Sequence, residues 1–286
     1  MNKIIRHILI FILPIILVEN AFTQGLADTN QVNRKLLKGV ILFESISSVT
    51  TLGGLYSLWY ADYPRSSFHF INDNKEWLQM DKIGHVTSAY NIGKTGYELL
   101  RWPGVDKKKS VWYGGSLGFA YLTVVEIMDG FSKEWGASLG DMTANAFGSA
   151  LFIGQQLAWD EQRIMLKWSY HNSKYTQFRP GELGSTLPEK LIKDYNGQTF
   201  WLSVNINSFL HDDSKFPKWI NMALGYRADG MIGGRANPTV INGNVLPSFN
   251  RTRKYFLSLD LDLNRIETRS KALKTVFNII GILKFP

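Results

Sequence analysis

Three short polar clusters lie at helical spacing on three successive apolar segments: Asp81-Lys82-Ile83-Gly84-His85, then Glu126-Ile127-Met128-Asp129, then Ser138-Leu139-Gly140-Asp141 with Asn145 and Gly148 behind it. A lone charge in an apolar bundle is costly, so such groups are expected to face one another, a ligand or a water-filled cavity. Asp81 and His85 are one helical turn apart, which lets the carboxylate accept from one imidazole nitrogen and fix its tautomer. Glu126 and Asp129 share a face in the same way. Asp141, Asn145, Gly148 and Gln155 form a third stripe, with Ser138 one turn before Asp141 at an expected helix start. In a bundle, three such stripes can converge.

Two readings of the clusters follow. In the functional one, His85 is an acid or base oriented by Asp81, and Glu126, Asp129 and Asp141 bind a divalent cation or polarise a substrate. In the structural one, Lys82 neutralises one carboxylate while Ser138, Asn145 and Gln155 satisfy the remaining groups and fix the helix register. The identity of any metal stays open. His7, His69, His171 and His211 show no ligand spacing, and the absence of cysteine excludes a thiolate zinc site and favours harder ions. Gly114-Gly115-Ser116-Leu117-Gly118 has G-x-S-x-G spacing without the strand-to-helix turn of a nucleophile elbow, and there is no H-E-x-x-H pair, P-loop or dinucleotide fingerprint. Gly114, Gly115 and Gly118 fall inside an apolar helical pattern, where they signal close helix packing.

The chain begins with Lys3 and Arg6, an apolar run over 8–18 and then small and polar residues, the order of a secretory signal peptide. The run is short for a bilayer span. Cleavage after Thr23, with Ala21 before it, or after Ala27, with Gly25 before it, satisfies the small-residue rule; an uncleaved anchor is the other reading. The 286 residues contain no cysteine, so neither a disulfide framework nor a lipid-modified cysteine can form from them, and stability must come from packing. The formal charge is +8 and the basic residues are dispersed, apart from Lys107-Lys108-Lys109. In an exported chain this charge suits anionic lipid head groups, and no nucleic-acid motif is present. Membrane lipid or other envelope components are the expected partners.

Residues 39–60 are apolar or small except for Glu44 and scattered Ser and Thr, which fits either a membrane span or a buried core helix. A loop over 62–76 carries Phe68 and Phe70, with Trp77 behind it. Helical patterns follow at 79–100, 110–128 and 138–162. Beyond about residue 170 the texture changes, and strict alternation over 202–207 and 255–263 predicts strands. A third strand, 220–227, has Met222, Leu224 and Tyr226 on one side and Ala223 and Gly225 on the other. Three strands are too few to close a membrane barrel, so they are read as a small sheet packed on the helices. Residues 229–253 read as a loop and 271–283 as a terminal helix. The expected class is α+β: a membrane-associated bundle of about four helices with a small C-terminal antiparallel sheet. Its parts would be a signal peptide at 1–23, a helical core at 24–180 and a strand-rich extension at 181–286.

The ordered set Asp81, Lys82, His85, Glu126, Asp129, Ser138, Asp141 and Gly148 resembles the YfiM-like family of periplasmic lipoproteins and, more distantly, the VanZ-like membrane proteins. Two departures stand out: the lipobox cysteine is missing, and Asp129 and Trp135-Gly136-Ala137 replace the glutamine and arginine usual in VanZ-like chains. The stretch Lys193-Asp194-Tyr195-Asn196-Gly197-Gln198-Thr199-Phe200-Trp201-Leu202-Ser203 is similar to that of long members from Gram-negative bacteria of the Bacteroidetes type. The family has no established activity. The resemblance implies an exported, periplasm-facing, outer-membrane-associated protein of a Gram-negative bacterium, acting as a structural or assembly component. Two other functions are open: a hydrolase or transferase acting on a lipid or lipid-linked glycan through the His/Asp/Glu cluster, and a lipid-binding module built on the aromatic residues around Trp59, Trp77 and Trp112.

Overall fold

The computed structural model describes residues 32–285 except Asp212 and Asn242, so the expected signal peptide, with His7 and both cleavage positions, lies outside the described residues. In chain order the elements are α1 (Arg34–Leu55), extended by a π-helical turn (Tyr56–Tyr60), β1 (Phe70–Ile71), a tight turn (Glu76–Gln79), α2 (Met80–Arg101), α3 (Lys107–Gly115), α4 (Leu117–Gly130), β2 (Ala137–Ser138) and α5 (Leu139–Trp159). There follow β3 (Ile164–Tyr170), α6 (Pro180–Leu183), α7 (Leu187–Lys193), β4 (Gln198–Asn205), β5 (Ile220–Asp229), β6 (Val240–Ile241), β7 (Asn244–Val245), β8 (Thr252–Leu261) and α8 (Lys271–Ile280). The class is α+β as expected, but the helices exceed four. β-structure is also not confined to the C-terminal part: β1 pairs in parallel with β2, and β6 and β7 form a hairpin inside the expected 229–253 loop. The single helix expected over 110–128 is two, parted at Ser116 where the weak helix formers Gly114 and Gly115 end α3.

The chain divides into two compact units. The first holds the described residues up to Asn72 with 88–162 and 268–276; the second holds 73–87, 163–267 and 277–285. The division falls within α2, whose first turns belong to the second unit.

In the first unit, glycine lets helices approach backbone to backbone. A Cβ built on Gly118 would lie 2.0 Å from the Ala89 carbonyl oxygen, and one on Gly93 would lie 2.6 Å from that of Gly115, so no side chain fits at either place. Ala89, Leu122 and Val125 pack there against Leu52 and Leu55 of α1. Polar side chains tie the helices together: Tyr121 donates to Thr51 Oγ1 at 2.9 Å, and Ser149 Oγ accepts from the Phe119 N–H at 3.0 Å, near the start of α4 where backbone donors lack helical partners. Within α1 only Val40 is fully buried, the other residues being exposed or half-buried. The segment Arg34–Tyr60, 27 residues in all, is the one helix among those described that is long and apolar enough to cross a membrane.

The second unit is built on an antiparallel sheet of order β3-β4-β5-β8. Residues 282–284 add a short parallel segment beyond β3, with Trp168 N–H donating to Ile282 O and Lys284 N–H to Trp168 O, both at 2.9 Å. The register aligns Leu166, Leu202, Leu224 and Leu257 in one row, Ile164, Val204, Met222 and Leu259 in the next, and Trp168, Phe200, Tyr226 and Tyr255 in a third. The opposite face carries Lys167, Ser203, Asn205, Asn221 and Asp260, all buried. Lys167 Nζ lies 2.7 Å from Asp260 Oδ2 and also donates to Leu261 O at 2.7 Å. Two strands separate β3 from β8, a span of about 14 Å in a flat sheet, farther than a lysine side chain reaches. The sheet is therefore curled with its polar face concave. On that face Gly225 makes room for the Trp201 ring, which a Cβ would meet at 2.6 Å.

Candidate functional site

The start of α2 is set by an unusual backbone. Trp77, Leu78 and Gln79 take φ of 47°, 51° and 64°, three successive left-handed residues with side chains, at a cost of roughly 1–2 kcal/mol each. The surrounding unit holds this turn in place. Trp77 N–H donates to Gly234 O at 2.8 Å, Tyr226 Oη to Leu78 O at 2.5 Å, and Arg253 Nη2 to Gln79 Oε1 at 2.5 Å. Met80 is wholly buried against Phe200, Ala228 and Met231. Left-handed strain fixed by so many partners is a mark of functional or positioning sites.

Asp81 and His85 follow on the first turn and a half of α2. His85 Nε2 lies 3.8 Å from Asp81 Oδ1, and Tyr195 Oη donates to the same oxygen at 2.5 Å. Lys82 Nζ lies 2.7 Å from Asp73 Oδ2 and 3.2 Å from Asp81 Oδ2. Burial alone would push the Asp81 carboxyl up, but the charge of His85, the Lys82 ammonium and the Tyr195 hydroxyl outweigh it and hold the carboxyl below its ordinary range. Asp81 is thus an anion with an imidazole beside it. The pair offers one carboxylate oxygen and one ring nitrogen to a substrate proton or a cation, and Tyr195 fixes the carboxylate's orientation.

The other sequence-derived residues lie in the first unit. Glu126 is buried on α4, and its Oε2 accepts from Ser138 N–H at 2.9 Å. Ser138 caps α5, its Oγ accepting from the Asp141 N–H at 3.2 Å. Two carboxylates therefore gather at the start of α5, where the helix dipole and free N–H groups favour negative charge. Asp129 is one turn from Glu126 but engaged elsewhere: its Oδ1 accepts from Tyr60 Oη at 2.8 Å, beside Trp135, whose ring packs on Tyr60 and Tyr63. Asn145 and Gln155 lie on the buried face of α5, and Gln155 Nε2 donates to Gln162 Oε1 at 3.1 Å.

Tyr195 is the site residue that residue-by-residue reasoning missed. Its signal was the Lys193–Gln198 stretch, whose other members are also structural anchors. Asn196 pairs with both backbone groups of Met231 at 2.8 Å, and Gln198 Nε2 donates to the Leu191 and Ile192 carbonyls at the end of α7. Asp194 is fully buried, which raises its carboxyl against the bonds from Ser173 and Asn196; burial together with Asp194 pushes the Tyr170 hydroxyl up to about 12. Also missed was a glutamine network of the first unit, in which Gln162 Oε1 accepts from Tyr90 Oη at 3.1 Å and Gln162 Nε2 donates to Gln156 Oε1 at 3.0 Å.

Residues 69–154 match the family model described as predicted periplasmic lipoprotein (DUF2279). The match spans α2 to α5 almost entirely, and with them Asp81, His85, Glu126, Asp129 and Asp141. No curated protein and no solved structure matches the chain. The family description agrees with the signal-like N-terminus in pointing to an exported, periplasmic envelope protein. No residue of this sequence can carry the cysteine-linked lipid of a lipoprotein, because it contains no cysteine.

Proposed function

We propose that the chain is a membrane-seated structural or assembly component of the bacterial envelope, facing the periplasm at the outer membrane. The observation that carries this reading is Arg34–Tyr60, an apolar helical stretch of 27 residues in which only Val40 and Tyr60 are fully buried. At 1.5 Å per residue it is about 40 Å long, enough for a hydrocarbon core of about 30 Å. It gives a chain without a lipidated cysteine another means of attachment. The polar clusters support a structural role: Glu126 and Ser138 complete the start of α5, Asp129 ties α4 to Tyr60, and Lys82 bridges Asp73 and Asp81. Fractionation of cells expressing the mature protein tests the reading. Extraction by detergent but not by carbonate is expected, and release by carbonate alone would count against it.

The Asp81–His85 pair favours a second reading, acid–base chemistry on a lipid or lipid-linked glycan. An anionic carboxylate beside the imidazole would hold its tautomer and stabilise the protonated form. Here His85→Ala should fold normally yet reproduce the phenotype of a deletion, and a folded variant that complements fully would end this reading.

A further inference from the structure

The sheet of the second unit has its polarity reversed from that of a water-soluble layer. A half-exposed antiparallel sheet normally turns its apolar side to the core. Here the concave side is polar, buried and cross-bonded: Ser203 Oγ donates to Asp260 Oδ2 at 2.7 Å, Asn221 Nδ2 to Ser203 Oγ at 2.9 Å and Asn205 Nδ2 to Asn221 Oδ1 at 2.6 Å. The convex side is covered at one end, where Phe200 and Ala228 pack on Met80, and is aliphatic and open along the leucine rows, with Leu257 73% and Leu259 68% exposed and Leu202, Met222, Leu224 and Leu261 beside them. Neither side can be exchanged for the other, because the polar one is closed by Lys167 and Asp260.

We infer that this convex face is a docking surface that seats the second unit in one leaflet of an anionic phospholipid membrane. Three observations select lipid as the occupant. From Tyr255 to Leu261 the outward side of β8 is a continuous apolar band about 20 Å long at 3.3–3.4 Å per residue. The band ends in membrane-interface residues: Tyr226 and Tyr255 with exposed Arg253 at one end, and Lys218 with exposed Trp219 at the other. A groove of about 460 Å³, lined by Ile83, Leu166, Leu202, Leu224 and Tyr255, opens at the aromatic end and suits part of an acyl chain. Arg253, whose Nη2 donates to Gln79 Oε1, also lines that groove and brings positive charge to its mouth.

The same sheet excludes a transmembrane arrangement. Among the described residues nothing pairs with the outer edge of β8, and an open edge in hydrocarbon leaves backbone groups unsatisfied at several kcal/mol each. Lying face-on, the sheet keeps its edges at head-group level and sinks only its leucine rows, as interfacial elements do to a depth of about 5–10 Å. The inference deepens the membrane-seated reading by naming a surface other than Arg34–Tyr60.

The absence of cysteine makes the test direct. Full-length Leu257→Cys, Leu259→Cys and Ser248→Cys variants, the last in an exposed loop, are labelled with an environment-sensitive fluorophore. Each is mixed with phosphatidylethanolamine–phosphatidylglycerol vesicles bearing nitroxide-labelled lipids. The nitroxide is placed near the head group in one set and near the chain end in the other. Loss of most of the fluorescence at positions 257 and 259 with the shallow nitroxide, less with the deep one and none at 248, is the expected result. Stronger quenching by the deep nitroxide would overturn leaflet seating in favour of a spanning strand. Vesicle-bound protein with unquenched leucine positions would overturn the docking surface while leaving the membrane-seated reading intact, and label–label contact in such samples would make a second copy the occupant. Protein that does not bind vesicles at all would end both.

Discussion

In the helical unit, buried polar groups sit where a helix begins or ends or two helices meet: Glu126 at the Ser138 amide, Ser149 at the Phe119 amide, Asp129 at Tyr60, and the linked Gln155, Gln156 and Gln162 at the end of α5. In the sheet unit they cluster on one face, beside Met165, Trp201 and Ala223, and Lys167, Asp260, Ser203, Asn205 and Asn221 form one connected set. The difference follows from backbone geometry. A helix satisfies its own backbone except at its ends, so polar side chains are needed there. A curled sheet encloses a concave space, and once Lys167 stands in it the groups that reach its ammonium must be polar to satisfy it. The helical unit is sealed by missing side chains, the sheet unit by hydrogen bonds.

The comparison breaks most sharply at the buried ion pair. Asp260→Ala leaves Lys167, 1% exposed, without its charge partner and should cost about 3–5 kcal/mol in denaturant unfolding. The double change Lys167→Met with Asp260→Leu should recover most of that loss; failure to recover would mean that the polar set, not the pair, closes the face. Next comes the helical seal. Gly118→Ala should cost about 1–3 kcal/mol, since its Cβ would meet Ala89 O at 2.0 Å, whereas Gly39→Ala, with nothing within 4 Å, should be neutral or slightly stabilising. Ser138→Ala should cost about 1 kcal/mol by uncapping α5.

Acid gives a smaller and more local effect. The folded Asp81 carboxyl lies below its ordinary value of 3.8, so its contribution is complete above that value and disappears as pH falls below it through the folded value. Thermal unfolding followed down through that range should show an acid-induced loss that Asp81→Asn reduces, and an unchanged profile would remove the Asp81–His85–Tyr195 cluster as a stabilising unit. The smallest effect belongs to the convex sheet face. Leu257→Thr should shift stability in water by no more than about 0.5 kcal/mol, because this leucine is 73% exposed. A larger loss would show that the leucine rows are packed rather than presented.

Much of the helical part was legible because apolar periodicity and caps are local. The pattern at 79–100 is α2 within a residue at each end, and Ser138 is the cap of α5 as its spacing to Asp141 implied. The 110–128 pattern ran through Ser116 because periodicity does not register a one-residue break between two helices of the same face. β3 was missed since Lys167 falls at an inward position and masks the alternation that exposed β4, β5 and β8. At the candidate site, Asp81 with His85 was readable from one helical turn. Tyr195 was not, because its hydroxyl reaches Asp81 across 114 positions of chain.

By itself the sequence determined where the long helices lie, that β4, β5 and β8 alternate, and that no lipid-bearing cysteine or thiolate site can exist in these 286 residues. Those properties depend on neighbours within a turn or two, or on composition alone. Tertiary structure decided which side of the alternating strands faces inward. Alternation has a period of two and marks both faces equally, and the choice rests on Lys167 reaching Asp260 across two intervening strands, a contact that exists only once the sheet has curled.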